Sequence, residues 1–296
     1  MGFMLNKRLH SMKLMMLAIF LLAAVFSGLA LSKLDVVCTT SVLADPVAYI
    51  GGNDVAAISI ADPTLCPHLQ SDIIPNRIQL NKDFIKSADM FAAYNDSNDR
   101  LYNMPAVDKF MSANGYGNVT WKTISNLPSW NTPTNAKLLA GQVKSWLEDK
   151  DPTNTINYEK RYDDYVKTFD AIEPTAAEKA KLNNTSVIVM VWQQDPVQKW
   201  LGMKVVNIFA PDFYMKGAKT PDKVVDDIKA NPDKYKGVTY VIENMQSGEM
   251  AKGIEEALHD KGVDVKRVVF TNFPGSLDGV STMSDVLNHN KQLVLN

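Results

Sequence analysis

Twice along this chain, short β-branched runs alternate with helix-patterned stretches, and one long helical segment separates the two series. The first series runs through "LDVVC", "DVAAISIAD", "MFAAY" and "NVTWKTIS"; the second runs through "TSVIVMVW", "KVVNIF", "VTYVIEN" and "DVKRVVF". Alternation of this kind builds βαβ units, in which the crossover helix returns each strand to the same end of the sheet, so the strands pair in parallel. The pattern predicts an α/β fold of two lobes, each a parallel-rich sheet with flanking helices, over 33–152 and 185–296. Between them, "NYEKRYDDYVKTFDAIEPTAAEKAKLNN" reads as one long linker helix across 153–184. Tyr158, Tyr162, Tyr165 and Phe169 recur there at three- and four-residue spacing, which makes a packing stripe. Open parallel sheets bind ligands beyond the carboxyl ends of their strands, so two such lobes facing each other leave a cleft as the expected ligand site.

The N-terminal 32 residues stand apart. Lys7, Arg8 and Lys13 precede the apolar run "LMMLAIFLLAAVFSGLAL", which ends in small residues. A basic start, an apolar middle and a small-residue exit read as an export signal, or, uncleaved, as a membrane anchor. Cys38 follows two valines rather than a small-residue lipobox. The expected location is therefore outside the cytoplasm, in the periplasm or on the outer cell surface, secreted or tethered. A formal charge of −2 over 296 residues gives no electrostatic reason to expect nucleic acid.

An oxidising compartment permits a disulfide between the two cysteines, Cys38 and Cys66, worth roughly 3–4 kcal/mol by loop closure. Cys66 also sits two residues from His68, in the loop "ADPTLCPHLQSD". Beyond the N-terminal segment only His68, His259 and His289 remain. His259 falls in the last turn of a helical pattern closed by Gly262, where an imidazole suits the helix dipole.

The order "VVCTTSVLADPVAYIGG…PTLCPHLQSD…SADMFAAYN…SWNTPTNAK…VTYVIENMQSGEMAKGIEEAL…VVFTNFPGS" resembles the zinc- and manganese-binding solute receptors of ABC transporters, over essentially all of 33–296. The resemblance implies two lobes joined by a rigid helix, zinc or manganese as cargo, and an ABC permease in the membrane as partner to a monomeric receptor. It also implies a metal site of about three histidines and a carboxylate from four loops. Pro67-His68 matches the first ligand position. Pro128 and Ser129 stand at the second, before Trp130, Pro133 and Asn135-Ala136. Val191 or Trp192 stands at the third, and Asn272 at the fourth. One of four ligands is kept, and the histidine count excludes a three-histidine site.

Three readings of the cleft stay open. In one, Cys38 and Cys66 form the disulfide and His68 is a remnant. In another, Cys66 and His68, joined by Cys38 or a methionine, form a softer metal site suited to copper(I). In the third, the cleft is refitted for a metal chelate or small organic solute, with Trp130, Trp192 and Asn272 supplying stacking and hydrogen bonds. Glu243, at the end of "VIEN", is the candidate carboxylate, with helix capping or a salt bridge as its alternative. No phosphate loop, His-Glu-x-x-His or Gly-x-Ser-x-Gly is present, so an enzyme is not expected. A surface adhesion protein on the same scaffold is the alternative class.

Overall fold

The computed structural model describes residues 33–124, 129–215 and 217–296. The export signal or anchor, and Pro128 at the second ligand position, lie outside these described residues. The eight expected strands form, as two four-stranded parallel sheets.

In the first lobe the strands are β1 (Leu34–Cys38), β2 (Val55–Ser59), β3 (Met90–Ala93) and β4 (Trp121–Thr123), in the order β2-β1-β3-β4. The chain passes from β1 through helix α1 (Ser41–Gly51) to β2 on one side. It then returns through α2 (Ile74–Leu80) and α3 (Lys82–Ser87) to β3 on the other. That reversal beside β1 is the topological switch point at which an open parallel sheet opens a crevice. Helix α1 stops at Gly51-Gly52: Gly52 has φ +56, and a Cβ on Gly51 would lie 2.3 Å from that of Val55. Helix α4 (Met104–Ala113), absent from the sequence reading, precedes β4, and α5 (Pro133–Lys150) follows it, with Thr132 accepting the Asn135 amide as N-cap.

The connecting segment differs from the single helix expected over 153–184. Helix α6 (Thr155–Ala171) ends before Pro174, and a separate helix, α7 (Ala176–Asn183), begins after it. Proline removes an amide donor and disfavours helical backbone in the residue before it. Thr175 then opens α7 in an extended conformation, as the N-cap of a capping box with Glu178. The tyrosine stripe packs as expected. Tyr158, Tyr165 and Phe169 are buried in the core of the first lobe, with the Tyr158 hydroxyl on Asp151 (2.9 Å) and that of Tyr165 on Asp45 (2.6 Å).

In the second lobe β5 (Ser186–Met190), β6 (Lys204–Phe209), β7 (Val238–Asn244) and β8 (Lys266–Phe270) run in the order β6-β5-β7-β8. This repeats the switch point, now beside β5. Helices α8 (Pro221–Ala230) and α9 (Lys252–His259) cover one face. The C-terminal helix α10 (Met283–Leu295) serves both lobes: Met283, Val286 and Leu287 join the core of the first lobe, together with Phe273 and Val280, whereas Val294 joins that of the second. Residues 34–296 form one compact unit.

Candidate functional site

The loops that leave the carboxyl ends of both sheets meet around a chamber of about 480 Å³. The loop after β2 carries Cys66 and His68, and its shape is set by a buried residue, Gln70. The Gln70 carboxamide accepts from the Asp62 amide (2.7 Å) and donates to the carbonyls of Asp62 (2.9 Å) and Leu65 (3.1 Å). Arg77 holds the same loop from below, its Nη1 lying 3.3 Å from Asp62 Oδ2. Between these clamps Pro67–Leu69 makes one 3-10 turn, with Cys66 as its N-cap residue. Cys66 Sγ lies 3.6 Å from His68 Nδ1. Burial pushes the Cys66 thiol up, and the backbone amides of His68 and Leu69, which hydrogen-bond the sulfur, oppose this. Burial also pushes the His68 imidazole down, favouring the neutral ring, while the nearby Asp96 carboxylate opposes this.

The rest of the chamber is aromatic and amide-rich. From the second lobe, the rings of Phe213, Trp192 and Tyr214 come to within 4.9, 6.2 and 6.4 Å of the His68 ring. Trp130 meets Tyr94 edge-on at 4.8 Å and Phe273 at 5.9 Å. Around the chamber, among the described residues, three hydrogen bonds cross between lobes: Trp130 Nε1 to the Asn272 carbonyl (3.2 Å), Asn131 Nδ2 to the Trp192 carbonyl (2.7 Å) and Gln246 Nε2 to the Pro63 carbonyl (3.1 Å). Asn131 thereby uses one of its two amide hydrogens, and Gln246, which also donates to Thr271 Oγ1 (3.2 Å), uses both. Their carbonyl oxygens, Oδ1 and Oε1, are buried without a hydrogen-bond partner among the described residues. Asn98 and Asn244, which also line the chamber, each bury an unpartnered carboxamide oxygen too. Asn272 Oδ1 accepts from Gln193, a buried side chain behind it.

Of the residues singled out in the sequence, Cys66, His68, Trp130, Trp192 and Asn272 line the chamber. Glu243 and Cys38 do not. Glu243 is 1% exposed and committed elsewhere: its carboxylate accepts from the Ala251 amide (2.7 Å) and pairs with Arg267 (2.8 Å). Its side chain points from β7 beneath α9, while the next residue on the strand, Asn244, faces the chamber, as strand alternation requires. Cys38 is fully buried in the core at the end of β1. Burial and the neighbouring Asp99 carboxylate push its thiol far above the usual range, and its side chain packs in the core rather than lining the chamber. The disulfide of the first reading is not formed in this structure: Cys38 and Cys66 are both free thiols, one in the core and the other turned against His68. His259 ends α9, with Nε2 2.9 Å from the Val265 carbonyl oxygen, and does not line the chamber. Among the described residues, no three His, Cys, Asp or Glu side chains converge as a metal-holding group. A three-histidine, one-carboxylate site does not fit this chamber.

Two parallel α/β lobes with their loop tips around a shared chamber define a solute-binding protein of the two-lobed type. The chain belongs to the family of the periplasmic zinc-uptake complex component A, ZnuA, whose model matches residues 36–292. Solved structures agree on the fold. The periplasmic metal-binding protein of Candidatus Liberibacter asiaticus superposes with a TM-score of 0.65 at 15% identity, and its manganese-bound form with 0.61 at 13%. The periplasmic zinc-binding protein TroA of Treponema pallidum gives 0.64 at 14%. Each alignment covers 89% of this chain and 98% of the other. No curated protein sequence matches significantly.

Proposed function

We propose that this chain is the extracytoplasmic receptor of an ABC-type importer, which encloses a metal-bearing small solute between its lobes and delivers it to a membrane permease. Its role is carriage rather than catalysis. The observation that carries the cargo assignment is the lining of the chamber. Its volume of about 480 Å³ lies within the range of small-molecule pockets, far above what a bare ion occupies. Its walls offer ring faces and carboxamide oxygens, with Cys66 and His68 as the pair of metal donors. A compact chelate fits such walls: its flat or C–H-rich face lies on Trp130 and Trp192, and its N–H or O–H groups reach the buried oxygens of Asn131 and Gln246.

Native mass spectrometry of the protein purified from its own source tests this reading. The expected result is one bound species showing both an organic mass and a metal isotope pattern. Trp192→Ala should weaken rebinding of that species about tenfold, the loss of one stacked ring. A bare ion, or a chain that carries nothing in any preparation, would refute the cargo assignment. A second reading, an organic solute with no metal, is favoured by the four unpartnered carboxamide oxygens. It predicts the organic mass alone.

A further inference from the structure

The buried polar atoms of the chamber are biased toward accepting hydrogen bonds. On the second lobe, Gln246 donates through Nε2 to the Pro63 carbonyl (3.1 Å) and to Thr271 Oγ1 (3.2 Å). A relay behind it fixes this polarity: the Ser276 hydroxyl donates to the Phe273 carbonyl (2.7 Å), and the Thr271 hydroxyl donates to Ser276, so Thr271 Oγ1 accepts from Gln246. The end of Gln246 left over is the oxygen, Oε1. On the first lobe, Asn131 Nδ2 donates to the Trp192 carbonyl (2.7 Å), which fixes Oδ1 at the other end of that carboxamide. Both side chains are more than nine-tenths buried, both line the chamber, and neither oxygen has a partner among the described residues. Asn244, 2% exposed at the end of β7, adds a third such oxygen. A buried acceptor left without a donor is costly, so a solute that supplies one removes that cost.

Aromatic rings and a carboxylate line the same chamber. Trp130 and Tyr94 meet at 82° with ring centroids 4.8 Å apart, and Trp192 and Tyr214 at 35° and 5.0 Å, one pair from each lobe. Ring faces carry negative charge density and attract a cation within about 6 Å. Asp96 is anchored in the lining, its Oδ1 accepting the Asp99 amide (2.9 Å). Its charge is felt at the rings: burial, with Asp96 adding to it, pushes the Tyr94 hydroxyl up to about 12. Arg100, the cationic side chain among the described lining residues, is exposed and donates Nη1 to the Asn95 carbonyl. A hydroxyl brings acceptor lone pairs as well as a donor. An ammonium brings three N–H donors and no acceptor, the complement of a wall of oxygens.

We propose that the carboxamide oxygens of Asn131, Asn244 and Gln246, with the Trp130–Tyr94 and Trp192–Tyr214 rings, form a subsite for a primary ammonium, and that the carried solute is an organic amine. Resting on the receptor reading above, this names the chemical group by which the solute is recognised. The oxygens select for N–H and the rings for positive charge, so neither a neutral alcohol nor a fully alkylated cation satisfies both. Because the oxygens come from both lobes, occupancy and the apposition of the lobes are coupled. Recognition of the ammonium needs no metal.

Isothermal titration calorimetry on the full-length protein, with EDTA present, tests this with three probes: 1,4-diaminobutane, 1,4-butanediol and tetramethylammonium. The diol keeps the shape without the charge, and tetramethylammonium keeps the charge without N–H. The diamine should bind with a Kd of about 1 mM or lower, at least about tenfold tighter than either of the others. Gln246→Leu and Asn131→Leu should each shrink the preference for diamine over tetramethylammonium toward unity. That ratio is taken within one variant and is independent of its folded fraction. Equal binding of diol and diamine, equal binding of the two cations, no diamine binding up to about 10 mM, or an unchanged preference in either Leu variant overturns the proposal. The receptor reading is judged separately, by the mass of the carried species. A carried species without a basic nitrogen sinks this proposal alone, whereas a chain that carries nothing in any preparation but binds the diamine sinks that reading alone.

Discussion

Asp45, on α1, has its Oδ2 between the Tyr165 hydroxyl on α6 (2.6 Å) and the Met283 amide at the start of α10 (2.7 Å). Burial pushes its carboxyl up to about 6; the two hydrogen bonds oppose this and the nearby Asp285 adds to it. The unfolded carboxyl titrates near 3.9. Between these values the native state holds a proton that the unfolded chain has lost, so stability falls as pH rises through about 4 to 6, and the full cost is present above 6. Asp45→Asn removes the titration. The variant's stability relative to wild type should therefore climb across that window, by at most about 3 kcal/mol because the side chain is only half-buried. Urea unfolding at pH 4, 5, 6 and 7 measures it, and a flat difference would show that this carboxyl does not titrate there. Legibility at this scale followed strand ends. His68, Trp130, Trp192 and Asn272 follow or neighbour strand ends in the sequence and do line the chamber. Tyr94 and Asn244 sit at strand ends as well, a signal that was available. Asn131, Tyr214, Gln246 and the loop clamp Gln70 owe their roles to contacts across 8 to 183 residues of sequence, which no local pattern carries. Glu243 misled because a strand-final carboxylate looks the same whether it faces a cleft or an arginine.

Every strand was visible in the alternation of short strand-like runs with helical stretches, most clearly where both faces of the sheet are covered and the run is continuously apolar, as in β5 (SVIVM). The elements that escaped have weaker signals. Helix α4 is amphipathic but follows an irregular π-type turn over Asp99–Asn103, which hides its start. The connecting helix kept its periodicity in the sequence up to residue 169, and the break at Pro174 was overridden by the length of the pattern. Helix α10 carries the structural consequence of largest size, because its apolar residues are divided between two cores. Leu287, 1% exposed, lies in the first lobe's core with Met283 and Val286, although Val294 further along the same helix belongs to the second. Leu287→Ala should cost about 2–4 kcal/mol, from lost transfer energy plus the cavity left behind. A urea midpoint shift with unchanged slope measures this, and a cost below about 1 kcal/mol would mean that the helix is not clamped between the lobes.

At the scale of the whole molecule, the lobes are coupled at two places with different chemistry. At the cleft the coupling is polar: three hydrogen bonds, from Trp130, Asn131 and Gln246, reach backbone carbonyls of the opposite lobe. Each contributes only about 0.5–1.5 kcal/mol net, so a solute can enter by breaking them. Behind the cleft the coupling is apolar, through Phe273, Val280, Met283, Val286 and Leu287 in the core of the first lobe. Burying several large side chains is worth about 1.5–3 kcal/mol each, so this contact outlasts the polar one. The lobes should then open at the cleft without separating, and neither should unfold while the other stays native. Calorimetry of the solute-free protein should accordingly show one transition, with calorimetric and van't Hoff enthalpies equal. Adding the native solute should move that single transition upward without splitting it, since binding at the cleft stabilises both lobes by mass action. Two resolved transitions would mean that the shared core does not couple the lobes, and closure would then have to come from the solute alone.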